Sequence, residues 1–252
     1  MSESQGKLDL KSLVSQIVTA APTPAAPTGA AEPAPVTPVE APLVDQELQA
    51  LFEAYFDLEE AAARDVVFEK IVALKAPAVT EFLRAVLEHD EDEMARAGAA
   101  AELAHRHDAA GMAALEEALA DRDDTELFTH ALQVLADVLG PAFYERAKGF
   151  WQDDDCDAEL KHEALLAMES TDTTRALADF TTFIAGLHDL NALPDDQLEV
   201  MMLAFVRHGY RDAVPVLEAL KTRLTQGIAD ADERDELTAF VGEGIALLQD
   251  AH

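Results

Sequence analysis

The sequence predicts an all-α protein, an α-solenoid of about six antiparallel helix pairs preceded by a linker and a short terminal helix. Three observations lead there. The composition favours helices: 49% of the 252 residues are hydrophobic, only 6% are aromatic, and Ala, Leu, Glu and Asp dominate. From residue 45 onward, apolar residues recur at helical spacing, and no alternating strand pattern of useful length interrupts them. The helix starts themselves repeat. One series begins near residues 77, 109, 142, 173 and 211, the other near 92, 125, 157, 195 and 232. Two helices every 31–38 residues is the period of units that bury their apolar faces by stacking on neighbours.

The elements follow in order. "ELQALFEAYFDL" carries Leu48, Leu51, Phe52, Tyr55 and Phe56 on one face, and "RDVVFEKIVALK" carries Val67, Phe68, Ile71 and Leu74. Next come "PAVTEFLRAVLE", "DEMARAGAAAELAHR", "AGMAALEEALA" and "TELFTHALQVLADVLG". Then come "PAFYERAKGFW", "DAELKHEALLAME", "TRALADFTTFIAGL", "DQLEVMMLAFVRHG", "RDAVPVLEALKTRLTQ" and "DERDELTAFVGEGIALL". Pro77, Pro141, Pro194 and Pro215 each stand at or near a predicted helix start, where proline is tolerated.

Two of these stretches resemble a known family. "GYRDAVPVLEALKTRL" (Gly209–Leu224) is similar to the first helix of a HEAT repeat of the phycobilisome-lyase type, with a Gly-x-x-Asp turn and Pro in the first helical turn. "DEMARAGAAAELAHRHDAAGMAALEEALADRDDTE" resembles a second helix, a turn and the next first helix. It shows Arg-x-x-Ala-Ala around Arg96 to Ala101 and Ala-x-x-x-x-Leu-x-x-Ala-Leu from Ala110 to Leu119. The units at 142–170 and 173–209 depart from the pattern. The resemblance implies a HEAT-like repeat domain over 44–252. It implies little about activity, because such repeats serve scaffolds, chromophore lyases and enzymes alike.

The first 43 residues read differently. In 1–18, Leu10, Leu13, Val14, Ile17 and Val18 fall at i, i+3, i+4, i+7 and i+8, a single apolar stripe. Residues 19–43 hold seven of the 11 prolines, which predicts a disordered, partly polyproline linker. A helix this short is marginal in water and gains stability only by burying its stripe. It folds back on its own domain, stays disordered, or docks into a groove on another protein. The linker favours docking in trans. A short terminal amphipathic helix on a Pro/Ala leash also looks like the encapsulation peptides of microcompartment cargo.

Charge bounds the partners. Fifty acidic residues against 18 basic ones leave a net charge of −32, a field that repels nucleic acid and anionic lipid. No apolar run approaches the roughly 18 residues of a membrane span, no secretory leader is evident, and the lone Cys156 fits a reducing cytoplasm. The acids concentrate in the turn within each pair. Asp90, Asp92, Asp123, Asp124, Asp153, Asp154, Asp155, Asp195, Asp196 and Asp232 are the expected members of a docking edge for a basic protein surface. Helix capping and solubility are the competing account.

Other chemistry is sparse. Asp153, Asp155 and Asp157 have the spacing of a calcium loop, but Ala158 and Ala164 stand where Gly and a bidentate Glu are needed. His162–Glu163 is a single His–Glu pair, where HEAT-like di-iron hydroxylases use several. No nucleophile or phosphate-binding motif is present, so neither a catalytic residue nor a metal or cofactor is expected. Tyr144 and Trp151 are core residues or the floor of an aromatic groove. The sequence thus points to a non-enzymatic, cytoplasmic protein-interaction scaffold or adaptor. A bilin-lyase-like ligand binder and the cargo or assembly factor of a protein shell are the alternatives.

Overall fold

The computed structural model describes residues 43–74, 76–187, 190, 195–228 and 230–250. The stripe of Leu10, Leu13, Val14, Ile17 and Val18 and the linker up to residue 42 lie outside the described residues. Among the described residues there is no strand; the chain is all-α. In order, the helices are α1 (Leu43–Asp57), α2 (Ala61–Val72), α3 (Pro77–His89), α4 (Glu93–His105), α5 (Ala109–Ala118) and α6 (Thr125–Leu139). Then come α7 (Tyr144–Gln152), α8 (Ala158–Thr171), α9 (Thr173–Gly186), α10 (Asp195–Arg207), α11 (Val214–Gly227) and α12 (Ala231–Asp250).

The chain's own aspartates start many of these helices. Asp92 accepts from the backbone N–H of Met94 and Ala95. Asp124 accepts from Leu127, Asp157 from Leu160 and Asp172 from Arg175. Each satisfies amides that the first helical turn leaves unpaired. Two predicted helices start late. Gly140–Phe143 and Arg211–Ala213 are 3-10 turns ahead of α7 and α11. Pro141 and Pro215 sit in the first turns of the elements they enter, where the missing proline N–H costs nothing.

The contacts divide the chain into two compact units, Met1–Ala114 and Leu115–His252. In the first, α1 packs on α2 and α3 on α4. Leu48, Phe52, Tyr55, Phe82, Leu83 and Leu103 lie in its core. Phe52 stacks on Phe82 at 4.5 Å, and Tyr55 meets Phe82 edge-on at 5.4 Å. The expected apolar face of α2 is only partly covered: Ile71 is buried, Val67, Phe68 and Leu74 are half-buried, and Val66 is 52% exposed. In the second unit, α6, α8, α10 and α12 pack one on the next. Against them, α7 lies on α8, α9 on α8 and α10, and α11 on α9 and α12.

Two of the helix ends share a device. After α4, Asp108 N–H donates to Leu103 O at 2.9 Å and His107 N–H to Ala104 O at 2.8 Å. After α10, Tyr210 N–H donates to Phe205 O and Gly209 N–H to Val206 O in the same pattern. This is the Schellman closure, which needs a left-handed residue. Gly209 (φ 58°) supplies it freely, whereas His107 adopts φ 57° with a β-carbon in place. His107→Gly is therefore expected to stabilise the protein by about 0.5–1 kcal/mol. A urea midpoint that does not move, or moves down, would contradict this.

Candidate functional site

The turns within the pairs are where the sequence concentrates its acids, and the structure sorts them into two groups. Some are committed internally. Asp90 is buried at 8% exposure. It accepts from the Tyr55 hydroxyl at 2.9 Å, from Arg64 at 3.4 Å and from the Asp92 N–H at 2.9 Å. The expectation that Asp90 belongs to a surface edge is thereby corrected, because its carboxylate ties α1 and α2 to the turn before α4. Asp92 caps α4 and pairs with Arg64 at 2.7 Å. Asp124 caps α6. Asp153 accepts from the Asp155 N–H and from Arg122, and these bonds hold its carboxyl below the usual range. The others remain at the surface: Asp123, Asp154, Asp155 and Asp232 are exposed, and Asp196 is half-buried in the first turn of α10. Asp195 opens α10, and its side chain lies outside the described residues.

Within the second unit these turns are neighbours. Arg122 Nη2 reaches Asp153 Oδ2 at 2.7 Å, bridging the turn before α6 to the turn before α8. Trp151 Nε1 donates to Gln197 Oε1 at 3.1 Å, linking the end of α7 to the start of α10. The turns before α6 and α8 are thus tied directly to each other.

Tyr144 and Trp151 lie in the core rather than on a groove floor. Tyr144 is fully buried and its hydroxyl donates to Asp179 at 2.8 Å. Burial, then the Asp179 bond and charge, push the phenol well above its ordinary pKa. Lys148 also binds Asp179, at 2.6 Å. Burial opposes ionisation of Asp179, yet the Lys148 and Tyr144 bonds outweigh it and its pKa falls. Trp151 is 7% exposed, edge-on to Phe183 at 5.0 Å.

The arginines explain why this chain prefers Arg to Lys. All eleven bond within the chain. Several link helices or helix ends at sequence separations of 30–39. Arg106 caps the end of α2 through Val72 O at 3.0 Å. Arg223 caps α9 through Leu187 O and Ile184 O, and Arg211 binds Leu248 O. Arg146 pairs with Glu116 and Arg175 with Glu145. Arg207 and His208 both meet the buried Glu169 at 2.8 Å. A planar fork of donors suits such two-point ties better than an ammonium does. The signal in the sequence was the 11-to-7 ratio of Arg to Lys, but it carries no address.

A groove of about 420 Å³ opens between the C-terminal halves of α6 and α8. Gln133, Asp137, Glu163, Leu166, Ser170 and Thr171 are among its walls. Gln133 donates to Glu163 at 3.0 Å across one end. Sequence reasoning missed this groove. Its one local signal is Asp137 near the negative end of its own helix, the reverse of the usual charge placement.

Cys156 is buried, and burial pushes its thiol pKa up. Among the described residues no cluster of His, Cys, Asp and Glu is arranged to hold a metal ion. Among them, too, no helix is long and apolar enough to cross a membrane. No family model matches the chain, and no curated protein or solved structure matches it either.

Proposed function

We propose that the chain is a non-enzymatic protein-interaction scaffold of the α-solenoid class, resembling HEAT-like repeats, that binds a partner with a basic surface. The observation that supports this best is the disposal of charge. The arginines are engaged by the chain's own carboxylates and helix ends. The exposed carboxylates of adjacent turns, Asp123, Asp154 and Asp155, are left to face outward. Helix capping accounts for one aspartate per turn and leaves these over. Side-chain ties at separations of 30–39 residues favour repeat-to-repeat stacking, and such stacks bind along extended surfaces. The same engagement of arginine disfavours a groove for the propionates of a bilin.

The N-terminal stripe of Leu10, Leu13, Val14, Ile17 and Val18 is the second half of the proposal. It docks on a different protein, and the proline-rich linker raises the local concentration of one partner near the other. Pull-down with the full chain and with a chain lacking 1–42 tests this. The shortened chain is expected to lose one set of partners and keep another, whose affinity falls as salt rises and the screening length shrinks from about 10 Å at 0.1 M to about 3 Å at 1 M. Identical partners in both pull-downs would remove the docking helix. Salt-independent binding of the retained set would remove the acidic surface.

A further inference from the structure

We infer that the exposed face of α2 is a docking site for the chain's own N-terminal stripe, Leu10, Leu13, Val14, Ile17 and Val18, which is held there until its partner takes it. This rests on the reading of the stripe as a docking helix and adds where the stripe is kept in the free chain.

α2 is apolar on more sides than the helices around it cover. Eight of its 12 residues are alanine, valine, isoleucine or phenylalanine, yet only Ile71 is buried, against five residues each in α3 and α4. One side meets α4: Arg64 pairs with Asp92, a β-carbon at Gly98 would meet the Phe68 ring at 3.9 Å, and Arg106 binds Val72 O. Arg64, Phe68 and Val72 are spaced by four and share a face. Turned away from them are Ala62, Val66 and Ala73, all exposed, with Val66 at 52%. Ala63, Val67 and Leu74 lie half-buried at the margin. A helix that is apolar all round belongs under cover.

Reach and charge select the occupant. Tyr55, late in α1, lies beside Arg64 and Phe68, early in α2. The two helices are therefore antiparallel, and Leu43 at the start of α1 stands near the far end of α2. Wound as a helix, residues 7–18 are about 18 Å long, the same as α2. A coil as long as 19–42 averages about 27 Å end to end, and proline stiffening lengthens that. A leash of this reach gives a local concentration in the millimolar range. A contact of about 0.1 mM between separate molecules is then roughly nine-tenths closed within one. Charge agrees: Lys7 and Lys11 outnumber Asp9 in the segment, while Asp65 and Glu69 outnumber Lys70 on the exposed side of α2. A second copy is a poorer occupant, because it brings its own net charge of −32.

The test is fluorescence anisotropy of a labelled peptide of residues 1–18 against the full chain. The double variant Leu13→Asp, Ile17→Asp disables the chain's own stripe and leaves the folded residues unaltered. The peptide is expected to bind this variant, and to bind the unaltered chain roughly tenfold more weakly because the face is filled. Adding Val66→Glu or Ala62→Glu to the stripe variant is expected to weaken the peptide by roughly fivefold or more, since a carboxylate would be buried against the stripe. Adding Leu247→Glu, an equal charge at an equally exposed residue of α12, is expected to weaken it by less than about twofold. Folding of each variant is checked by circular dichroism. Equal binding to the unaltered chain and the stripe variant shows that the stripe is not held, and overturns the inference. No binding to the stripe variant, or equal loss with Val66→Glu and Leu247→Glu, removes α2 as the site. Dimers of the unaltered chain that Leu13→Asp, Ile17→Asp dissolves assign the face to a second copy and overturn it as well. The stripe's partner is read by the pull-down and not by this assay, so either conclusion can fail alone.

Discussion

Replacing Gly111 by alanine is expected to destabilise the protein by about 3 kcal/mol, a fall in Tm of roughly 6–12 °C for a chain of this size. A β-carbon at Gly111 would lie 2.4 Å from Leu103 Cβ, 2.6 Å from Ala100 O and 2.7 Å from Ala104 N. These are atoms of α4 at or on its backbone, so no rotamer change relieves the clash. The helices must move apart. They are held close by the Schellman turn at His107, by the run of buried alanines Ala99, Ala100, Ala101 and Ala104, and by Leu103. Helix propensity runs the other way, since alanine is favoured over glycine in a helix by up to about 1 kcal/mol. Gly98 isolates that term: a β-carbon there meets only the ring of Phe68 at 3.9 Å. Gly98→Ala is expected to be neutral or stabilising. Equal Tm values for the Gly111→Ala and Gly98→Ala proteins would show that the close approach is absent.

Trp151→Ala is expected to cost about 4 kcal/mol or more, read as a lower urea midpoint by far-ultraviolet circular dichroism. Removing a buried large aromatic typically costs about 3–5 kcal/mol. Here the indole also leaves Gln197, itself 5% exposed, without its partner, and an orphaned buried amide adds about 1–3 kcal/mol. Phe183 and Phe180 lose an edge-on neighbour at 5.0 and 6.3 Å. Because Trp151 is the chain's single tryptophan, the native protein should fluoresce like a buried indole and resist quenching by iodide. A Trp151→Ala protein of unchanged stability would return the residue to a surface role. Trp151→Phe keeps a ring but not the hydrogen bond, and is expected to fall between the two.

These two positions show where the sequence was legible. The starts of α3, α5, α6, α9 and α10 fall at 77, 109, 125, 173 and 195, as the periodicity predicts. Asp92, Asp124 and Asp157 cap as their positions imply, because a cap is a contact within three residues and a local pattern is enough to specify it. The 3-10 turns at Gly140–Phe143 and Arg211–Ala213 were not legible, since a turn of i to i+3 bonds carries no period distinct from a helix start. The left-handed role of His107 was hidden for a related reason: a glycine would have signalled it, and a histidine does not. The two sides of Trp151 were equivalent on a helical wheel, and only its neighbours on α9 and α10 made one of them the core.

By itself the sequence determined the helices, their pairing period, their caps and the excess of carboxylate over cation. All of these follow from residues within a turn or two of each other, or from composition. Tertiary structure decided which carboxylates are spent and which are left. Asp90 and Asp153 meet arginines 26 and 31 residues away, and Glu169 meets Arg207 at a separation of 38. Asp154 and Asp155 stay exposed a residue or two from Asp153. Charge pairing depends on distance across the packed helices, and neighbours within one turn receive different fates.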